Sequence, residues 1–433
     1  MSLDAFEKKF LTDLIAIRSV GAEPEGDLPY GKAPFSALEF FLKTAEDIGM
    51  RTGIIDNRVG YAEIGPEDSG KLVGIVCHLD VVPEGSGWNT DPFTLTLTDD
   101  GYLCGRGITD DKGPAAASFF AMRRLLESGE TLRSRIRLIL GTDEERTCSC
   151  VECYAEKGEI PAFAITPDAE FPVIYAEKGI LNVKVFSEGA SRITAFAGNA
   201  TNMVPASAEA VIGGIRHEAS GVPSHASRPE LGVNAIFELV KNLGKEELEQ
   251  SPVLSYIRNE LADRDACEYT GCAVTDDSGK ITGNPSVLRA GTDGESITID
   301  IRYPVTASKD AILAHFEEEA SRYGLKVSET NHMAPLYKEK DTPEIRMLTS
   351  VWDRYMDRYD GFTGEYKGLY REPLAIGGGT YARHMPNTIA FGMQAPWQQD
   401  QCHQANESIL KENLYLLVPM YEEALERLGS ILI

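Results

Sequence analysis

His78 and Asp80 stand directly after the apolar run 71–76. A run of that length, bounded by Gly70 and by the Pro83/Gly85 loop, reads as a buried parallel strand. In open α/β sheets the carboxyl ends of the strands are where ligands and metals bind. A His with an Asp two residues on can bind a metal through one ring nitrogen while the carboxylate orients the ring; the plainer alternative is a surface His beside a capping Asp. The arrangement recurs. Strand 135–140 runs into Asp143-Glu144-Glu145, and strand 162–165 runs into Asp168 and Glu170. Gly105-Arg106-Gly107-Ile108-Thr109-Asp110-Asp111-Lys112-Gly113 sets two more carboxylates in a tight glycine-rich loop, ahead of a helix started by Pro114. A capping acid explains any one case; three strand ends and this loop exceed what a solvated surface explains. A phosphate loop fits poorly, because two acids stand where phosphate would sit and the Gly-Lys-Ser/Thr order is missing.

Together with the late His403, the residues His78, Asp110, Glu145 and Asp168 are nitrogen and oxygen ligands without thiolate. That set suits two borderline divalent ions better than a structural zinc. Five ligands suffice if one carboxylate bridges. Two ions roughly 3.5–4 Å apart polarise a carbonyl and supply a hydroxide at neutral pH. The adjacent Glu144-Glu145 then divides between one metal ligand and one acceptor of the water proton. The chemistry expected is hydrolysis of a neutral electrophile, most simply an amide.

Such residues work only if strands end together, and the chain has the elements for it. Helical spacing covers 4–18 and 33–49, short strands at 53–55 and 60–64 precede the His78 strand, and a hairpin through 94–97 and 102–103 precedes helix 115–126. From about residue 180 the texture changes. Strands 181–186, 193–197, 208–212, 273–275, 287–290, 296–303 and 326–331, with helices 233–243 and 309–323, read as a separate α+β domain. Helix 342–359, the loop 377–383, strand 387–392 and a last helix 408–427 read as the first domain resuming. The expected division is 1–178 with 338–433, and an inserted 179–337.

At 433 residues the chain is too long for one ordinary core. Its 42% hydrophobic and 25% charged residues are those of a soluble globular protein. A formal charge of −25 argues against nucleic acid and anionic membranes as partners. No apolar run is long enough for a membrane span and no signal-peptide stretch opens the chain, so a cytoplasmic setting is expected. Eight scattered cysteines then read as reduced thiols. Cys148, Cys150 and Cys153 form the one cluster: a metal or redox site, or small residues opening a helix, the second being favoured because no further Cys-x-x-Cys or His stands nearby.

His-x-Asp at 78–80, Gly-x-Gly-x-x-Asp-Asp-Lys-Gly at 105–113, Asp-Glu-Glu at 143–145 and His403 before Asn406-Glu407 together resemble the co-catalytic zinc hydrolases that include aminoacylase, carboxypeptidase G, acetylornithine deacetylase and succinyl-diaminopimelate desuccinylase. The match runs in order over nearly the whole chain. Within that family, Thr-Pro-Asp-Ala-Glu-Phe-Pro-Val-Ile-Tyr-Ala-Glu-Lys-Gly from Thr166, Asn-Met-Val-Pro from Asn202, Ser-His-Ala-Ser-Arg-Pro-Glu-Leu-Gly-Val-Asn-Ala from Ser224 and Gly-Gly-Gly-Thr-Tyr-Ala-Arg ending at Arg383 most resemble the carnosinase-like "V" dipeptidases of bacteria.

The resemblance implies an α/β fold: a zinc-dependent exopeptidase-like catalytic domain, with a mixed, mostly parallel sheet between helices, and an inserted α+β lid. It implies two Zn2+ per subunit, with Mn2+ or Co2+ as substitutes, held by His78, Asp110, Glu145, Asp168 and His403. Asp110 would bridge the ions and be followed by a cis peptide bond. Glu144 would be the general base, Asp80 would orient His78, and His225 of the lid would steady the oxyanion. Asn202, Arg302, Gly378, Gly379 and Arg383 match positions that hold substrate, the arginines suiting a free carboxylate; the alternative for each arginine is a structural ion pair. Asp80, Asp168 and nearby acids would receive the substrate's ammonium group. The activity implied is hydrolysis of unblocked dipeptides, Xaa-His and β-Ala dipeptides among them. The alternatives are an N-acyl-amino-acid deacylase with the same metal chemistry and an inactive metal-bearing binding protein, the latter disfavoured because Glu144 and all five ligands are present. A monomer or a homodimer through the lid is expected, and a short lid leaves open whether His225 serves its own chain.

Overall fold

The computed structural model describes residues 2–129, 131–359, 370–398 and 401–431. The chain divides into two compact units. The first comprises Met1–Tyr175, Lys338–Leu374 and Thr380–Ile433; the second comprises Ala176–Tyr337 and Ala375–Gly379.

In the first unit the strand Leu72–His78 is buried at every position, because parallel neighbours flank it on both sides, Arg135–Gly141 and Phe163–Thr166. A strand enclosed in this way must be apolar throughout, which is why 72–77 shows no alternation. Thr388–Ala390 adds a fourth parallel strand beside Phe163–Thr166. Val59–Ile64 and Arg51–Ile55 extend the sheet antiparallel at one side, and Ile174 pairs antiparallel with Ala390 at the other. The sheet is therefore mixed, with its four central strands parallel. Phe10 of helix Ala5–Ala16, Phe41 of Lys32–Asp47 and Phe119 of Lys112–Ser128 meet at ring-centroid distances of 4.8 to 5.1 Å and tie those three helices together.

The last helix departs from the expected 408–427. It runs Lys411–Ile431, and Ser408–Leu410 is a short strand antiparallel to Tyr102–Cys104. The pairing of this strand is long-range and leaves no mark on the local pattern, which runs on smoothly into the helix. It ties the segment carrying His403 and Glu407 to the glycine-rich loop, where the Gly105 N–H donates to the Glu407 carbonyl at 3.1 Å.

The second unit is a seven-stranded antiparallel sheet in the order Ile215–Ser220, Ser207–Ile212, Thr194–Ala197, Thr282–Gly291, Gly294–Tyr303, Gly179–Ser187, Lys326–Met333. One face is apolar: Leu181, Val183, Val185, Ile297, Ile299 and Ile301 share a buried core with Ile236, Leu239, Ile257, Ile312 and Phe316 of the helical segments. The alternation that puts these inward leaves Phe196 and Val211 exposed. Ile215–Ser220 is absent from the sequence reading because Arg216, His217 and Glu218 give it no apolar face. Charge on an edge strand is a common protection against pairing with other chains.

Residues 375–379, expected with the first unit, group with the second. The Lys178 N–H donates to the Ile376 carbonyl at 2.9 Å and Arg302 Nη1 to the Gly377 carbonyl at 3.0 Å, while a Cβ on Gly377 would lie 3.0 Å from that of Ser227. Among the described residues no helix is long and apolar enough to cross a membrane.

Candidate active site

The first unit brings five of the anticipated residues together. His78 closes its strand, and its Nε2 lies 2.9 Å from Asp110 Oδ1 and 3.8 Å from Asp168 Oδ2. His403 Nε2 lies 3.0 Å from Asp110 Oδ2 and 2.9 Å from Glu145 Oε2. Asp110 thus turns one oxygen to each imidazole. Two sets of candidate ligand atoms, His78/Asp110/Asp168 and Asp110/Glu145/His403, each fall within 4.8 Å of one another and share this carboxylate. The Asp110–Asp111 peptide bond is cis, as the resemblance implies. Asp111 is turned into the protein, where its Oδ2 accepts the His78 backbone N–H at 3.1 Å.

The set fits divalent cations. Its donors are imidazole nitrogens and carboxylate oxygens, the mixture that borderline divalent ions prefer. His78 Nδ1 lies 3.0 Å from the Asp80 carbonyl, which directs Nε2 toward the carboxylates as the lone-pair nitrogen. That Nε2 is fully buried and has no aligned hydrogen bond. A buried nitrogen close to carboxylate oxygens but not aligned to hydrogen-bond them is satisfied by a cation between them.

Electrostatics point the same way. Burial pushes the carboxyl groups of Glu144 and Glu145 up, and that of Asp168 to about 7, with the charge of Asp110 adding to each. The hydrogen bonds that His403 donates to Asp110 and then Glu145 raise it to about 11. His78 is raised as well: burial opposes its charge, but Asp110 and Asp80 outweigh burial. Only Asp110 goes down, since the two imidazoles overcome its burial. A site in which most groups are driven to hold a proton has surplus negative charge, and bound cations take the place of those protons.

Asp80 touches both the His78 ring and the glutamate turn. Its carbonyl oxygen is 3.0 Å and its Oδ1 3.5 Å from His78 Nδ1. The carboxylate also accepts the backbone N–H groups of Glu144 and Glu145, both at 3.1 Å, and so holds the turn that carries the two glutamates. It is almost wholly buried with both oxygens engaged, so the substrate ammonium expected there has no place at Asp80. Ring contact with His78 also comes from Tyr381, edge-on at a centroid distance of 5.8 Å. Tyr381 fits because Gly141, opposite His78 in the sheet, has no Cβ; one there would lie 2.2 Å from the tyrosine oxygen. The buried Lys112, beside the Asp pair, donates to the carbonyls of Leu14 and Ile17.

The thiols of the cysteine cluster do not share a partner. Cys148 Sγ reaches the Glu144 carbonyl at 3.5 Å, Cys150 Sγ the Tyr381 hydroxyl at 3.0 Å and Cys153 Sγ Asp56 Oδ2 at 3.6 Å. The three thiols serve separate partners at the start of helix Ser149–Lys157.

In the second unit His225 is exposed, and its Nδ1 meets Ser227 Oγ at 2.7 Å and accepts the Ser227 N–H at 3.2 Å. In the neutral ring the proton therefore sits on Nε2. Asn202, also exposed, lies on the adjoining segment; its carbonyl accepts the Ala226 N–H at 2.8 Å. Arg302 is buried and clamped by Asp300 through Nε (2.6 Å) and Nη2 (3.0 Å), with Nη1 on Gly377. That is the structural ion pair weighed as its alternative. Gly378 is half-buried and Gly379 exposed in this unit; Arg383, half-buried, belongs to the short helical turn Tyr381–Arg383 of the first.

Known proteins agree with this picture. A protein of Staphylococcus saprophyticus named "Putative dipeptidase SSP1012" is 32% identical over 471 residues, covering 98% of this chain and 97% of its own. A Bacillus subtilis protein named "Putative dipeptidase YtjP" is 32% identical over 446 residues, covering 93% and 92%. Human carnosine dipeptidase 1 superposes with a TM-score of 0.62 at 17% identity over 98% of this chain and 96% of its own. The di-peptidase Dug1p of Saccharomyces cerevisiae gives 0.63 at 13% over 98% and 96%. Such low identities speak for the fold alone. The family model for peptidase family M20/M25/M40 matches residues 74–427, and the chain belongs to that family.

Proposed function

We propose that this metallopeptidase is a dipeptidase that hydrolyses the amide bond of unblocked dipeptides. The observation that carries the reading is Asp110, with one oxygen on each imidazole and Glu144 in the adjoining turn. His78 and Asp168 would hold one ion, Glu145 and His403 the other, with Asp110 shared. Zinc suits the donor set, with manganese or cobalt as substitutes. Bound there, two such ions polarise the scissile carbonyl and make water acidic near neutral pH.

The remaining steps belong to side chains. Glu144 takes the proton of the attacking water and delivers it to the departing amine nitrogen. Asp80 keeps Glu144 and Glu145 in place through their backbones. His225 donates Nε2–H to the oxyanion. Arg383 takes the substrate's free carboxylate, with Asn202, Gly378 and Gly379 as further polar contacts. Arg302 acts on substrate indirectly, by holding the Gly377 backbone of the stretch that carries Gly378 and Gly379. Full-length relatives named as dipeptidases support this reading over a deacylase. The finer assignments that go with it are a cytoplasmic setting and a monomer or a homodimer through the second unit.

The test is turnover by the zinc- or manganese-loaded protein of Ala-Ala or β-Ala-His beside the corresponding N-acetylated amino acid, with Glu144→Ala as control. Cleavage of the free dipeptide alone, lost in the control, is expected. Cleavage of the acetylated compound alone would make the protein a deacylase instead.

A further inference from the structure

Glu407 has no part in the reading above, yet its carboxylate is fully buried and accepts five hydrogen bonds. Oε1 receives the Thr109 N–H (2.8 Å), the Thr109 hydroxyl (2.7 Å) and the Asp110 N–H (3.2 Å). Oε2 receives the Gly107 N–H (2.9 Å) and Arg106 Nη1 (2.8 Å). Arg106 is buried too, with its guanidinium over the Trp88 ring at 5.2 Å. A buried ion pair is by itself weak support for stability. Here most of the bonds go to the backbone of one short loop, and that loop ends at Asp110. On its own segment, Glu407 follows His403 by four residues. One carboxylate therefore fixes both the shared acid and the stretch that carries one of the imidazoles.

We propose that Glu407 is a positioning residue for the two-ion centre, setting Asp110 in register with His78 and His403 so that both metal positions depend on it. The inference rests on the metal reading given above. An amide is no substitute for this acceptor-only group: in either orientation its NH2 would face N–H donors, those of Gly107 and Arg106 or those of Thr109 and Asp110.

A merely structural role would lower the melting temperature of Glu407→Gln and leave the metal affinity of the folded protein unchanged; positioning alters the affinity itself. The experiment titrates the metal-free full-length wild type, Glu407→Gln and Thr109→Val with Zn2+ against a chromophoric chelator, with a thermal melt of each. Thr109→Val removes the hydroxyl's bond to Glu407, with its 3.8 Å contact to Cys402 Sγ, and keeps the backbone bonds. The wild type is expected to take two equivalents. Glu407→Gln should bind both at least about 10-fold more weakly, as losses in the shell behind metal ligands do. Thr109→Val should bind both roughly 3-fold more weakly, with a metal-free melt lowered only slightly. Wild-type affinity in the folded variants overturns the proposal, and so does weakening confined to one equivalent. If Glu407→Gln does not fold, Thr109→Val decides by the same criteria. A wild type that takes up no zinc refutes the metal reading and the proposal with it, an outcome distinct from tight wild-type binding with unaffected variants.

Discussion

Asp110 sits in a loop whose backbone is gripped by a buried carboxylate and whose own oxygens meet two imidazoles. His225 sits in a loop open to solvent, its ring held by the hydroxyl and N–H of Ser227 two residues on. The difference matches the two tasks proposed for these residues. Ligands to a cation must stand at fixed distances before it arrives, so their loop is over-determined. A donor to a developing oxyanion is needed only when substrate is present, and exposed loops with few buried contacts are the segments that move at low cost. Changes to the first loop should remove the metal and everything that follows. Changes to the second should leave the metal and slow the chemistry.

The largest effect expected is at Asp110. Asp110→Asn should lose both zinc equivalents and bring dipeptide turnover to background; metal analysis beside an activity assay checks it. Glu144→Gln should lower kcat by about 10²–10⁴-fold, the worth of general acid–base catalysis, while keeping two equivalents of metal. Loss of metal in that variant would mean that Glu144 is a ligand. His225→Ala should lower kcat by about 10²–10³-fold, the cost of one oxyanion donor, with metal content and melting temperature unchanged. A fall in metal content would erase the contrast between the loops.

A subtler effect is on stability. Without metal, burial holds Asp168 up to about 7 and hydrogen bonds hold His403 up to about 11. Between 3.8 and about 7 for Asp168, and between 6.5 and about 11 for His403, the folded chain binds more protons than the unfolded one. Stability then falls as pH rises. The melting temperature of chelator-treated protein should therefore drop from roughly pH 6 to pH 9. Excess zinc should flatten or reverse that slope, because the ligands must shed protons to bind it. The smallest effect expected is for Ser227→Ala, which removes the hydroxyl contact of the His225 ring but keeps the Ser227 N–H bond, and should cost roughly 2- to 5-fold in kcat, the worth of one modest hydrogen bond.

Much of this site was legible in the sequence because its signals are local. An unalternating apolar run bounded by glycine and proline marks a strand buried on both faces, and the residue that follows it stands at a strand end. His78, the Glu144-Glu145 pair and Asp168 could be placed on that ground, and the Asp110-Asp111 pair by the glycines around it; the choice within each pair came from the family resemblance. The antiparallel second unit was legible from its alternating segments, save for the charged edge strand Ile215–Ser220, whose pattern lacks an apolar face. Ser408–Leu410 was misread as helix because its strand partner, Tyr102–Cys104, lies about 300 residues away in the chain.

By itself, then, the sequence determined which residue types lie at which strand ends, and so the chemistry of the donor set. Only the tertiary structure decided which groups hold which. It turned Asp110 toward the imidazoles and Asp111 into the core, set the Asp80 carboxylate on the Glu144 and Glu145 backbones, and brought Glu407 to Thr109 across 298 residues. Those choices are hydrogen bonds between segments remote in sequence. Their energies depend on distances that no local pattern encodes, and so they appear only when the whole chain is packed.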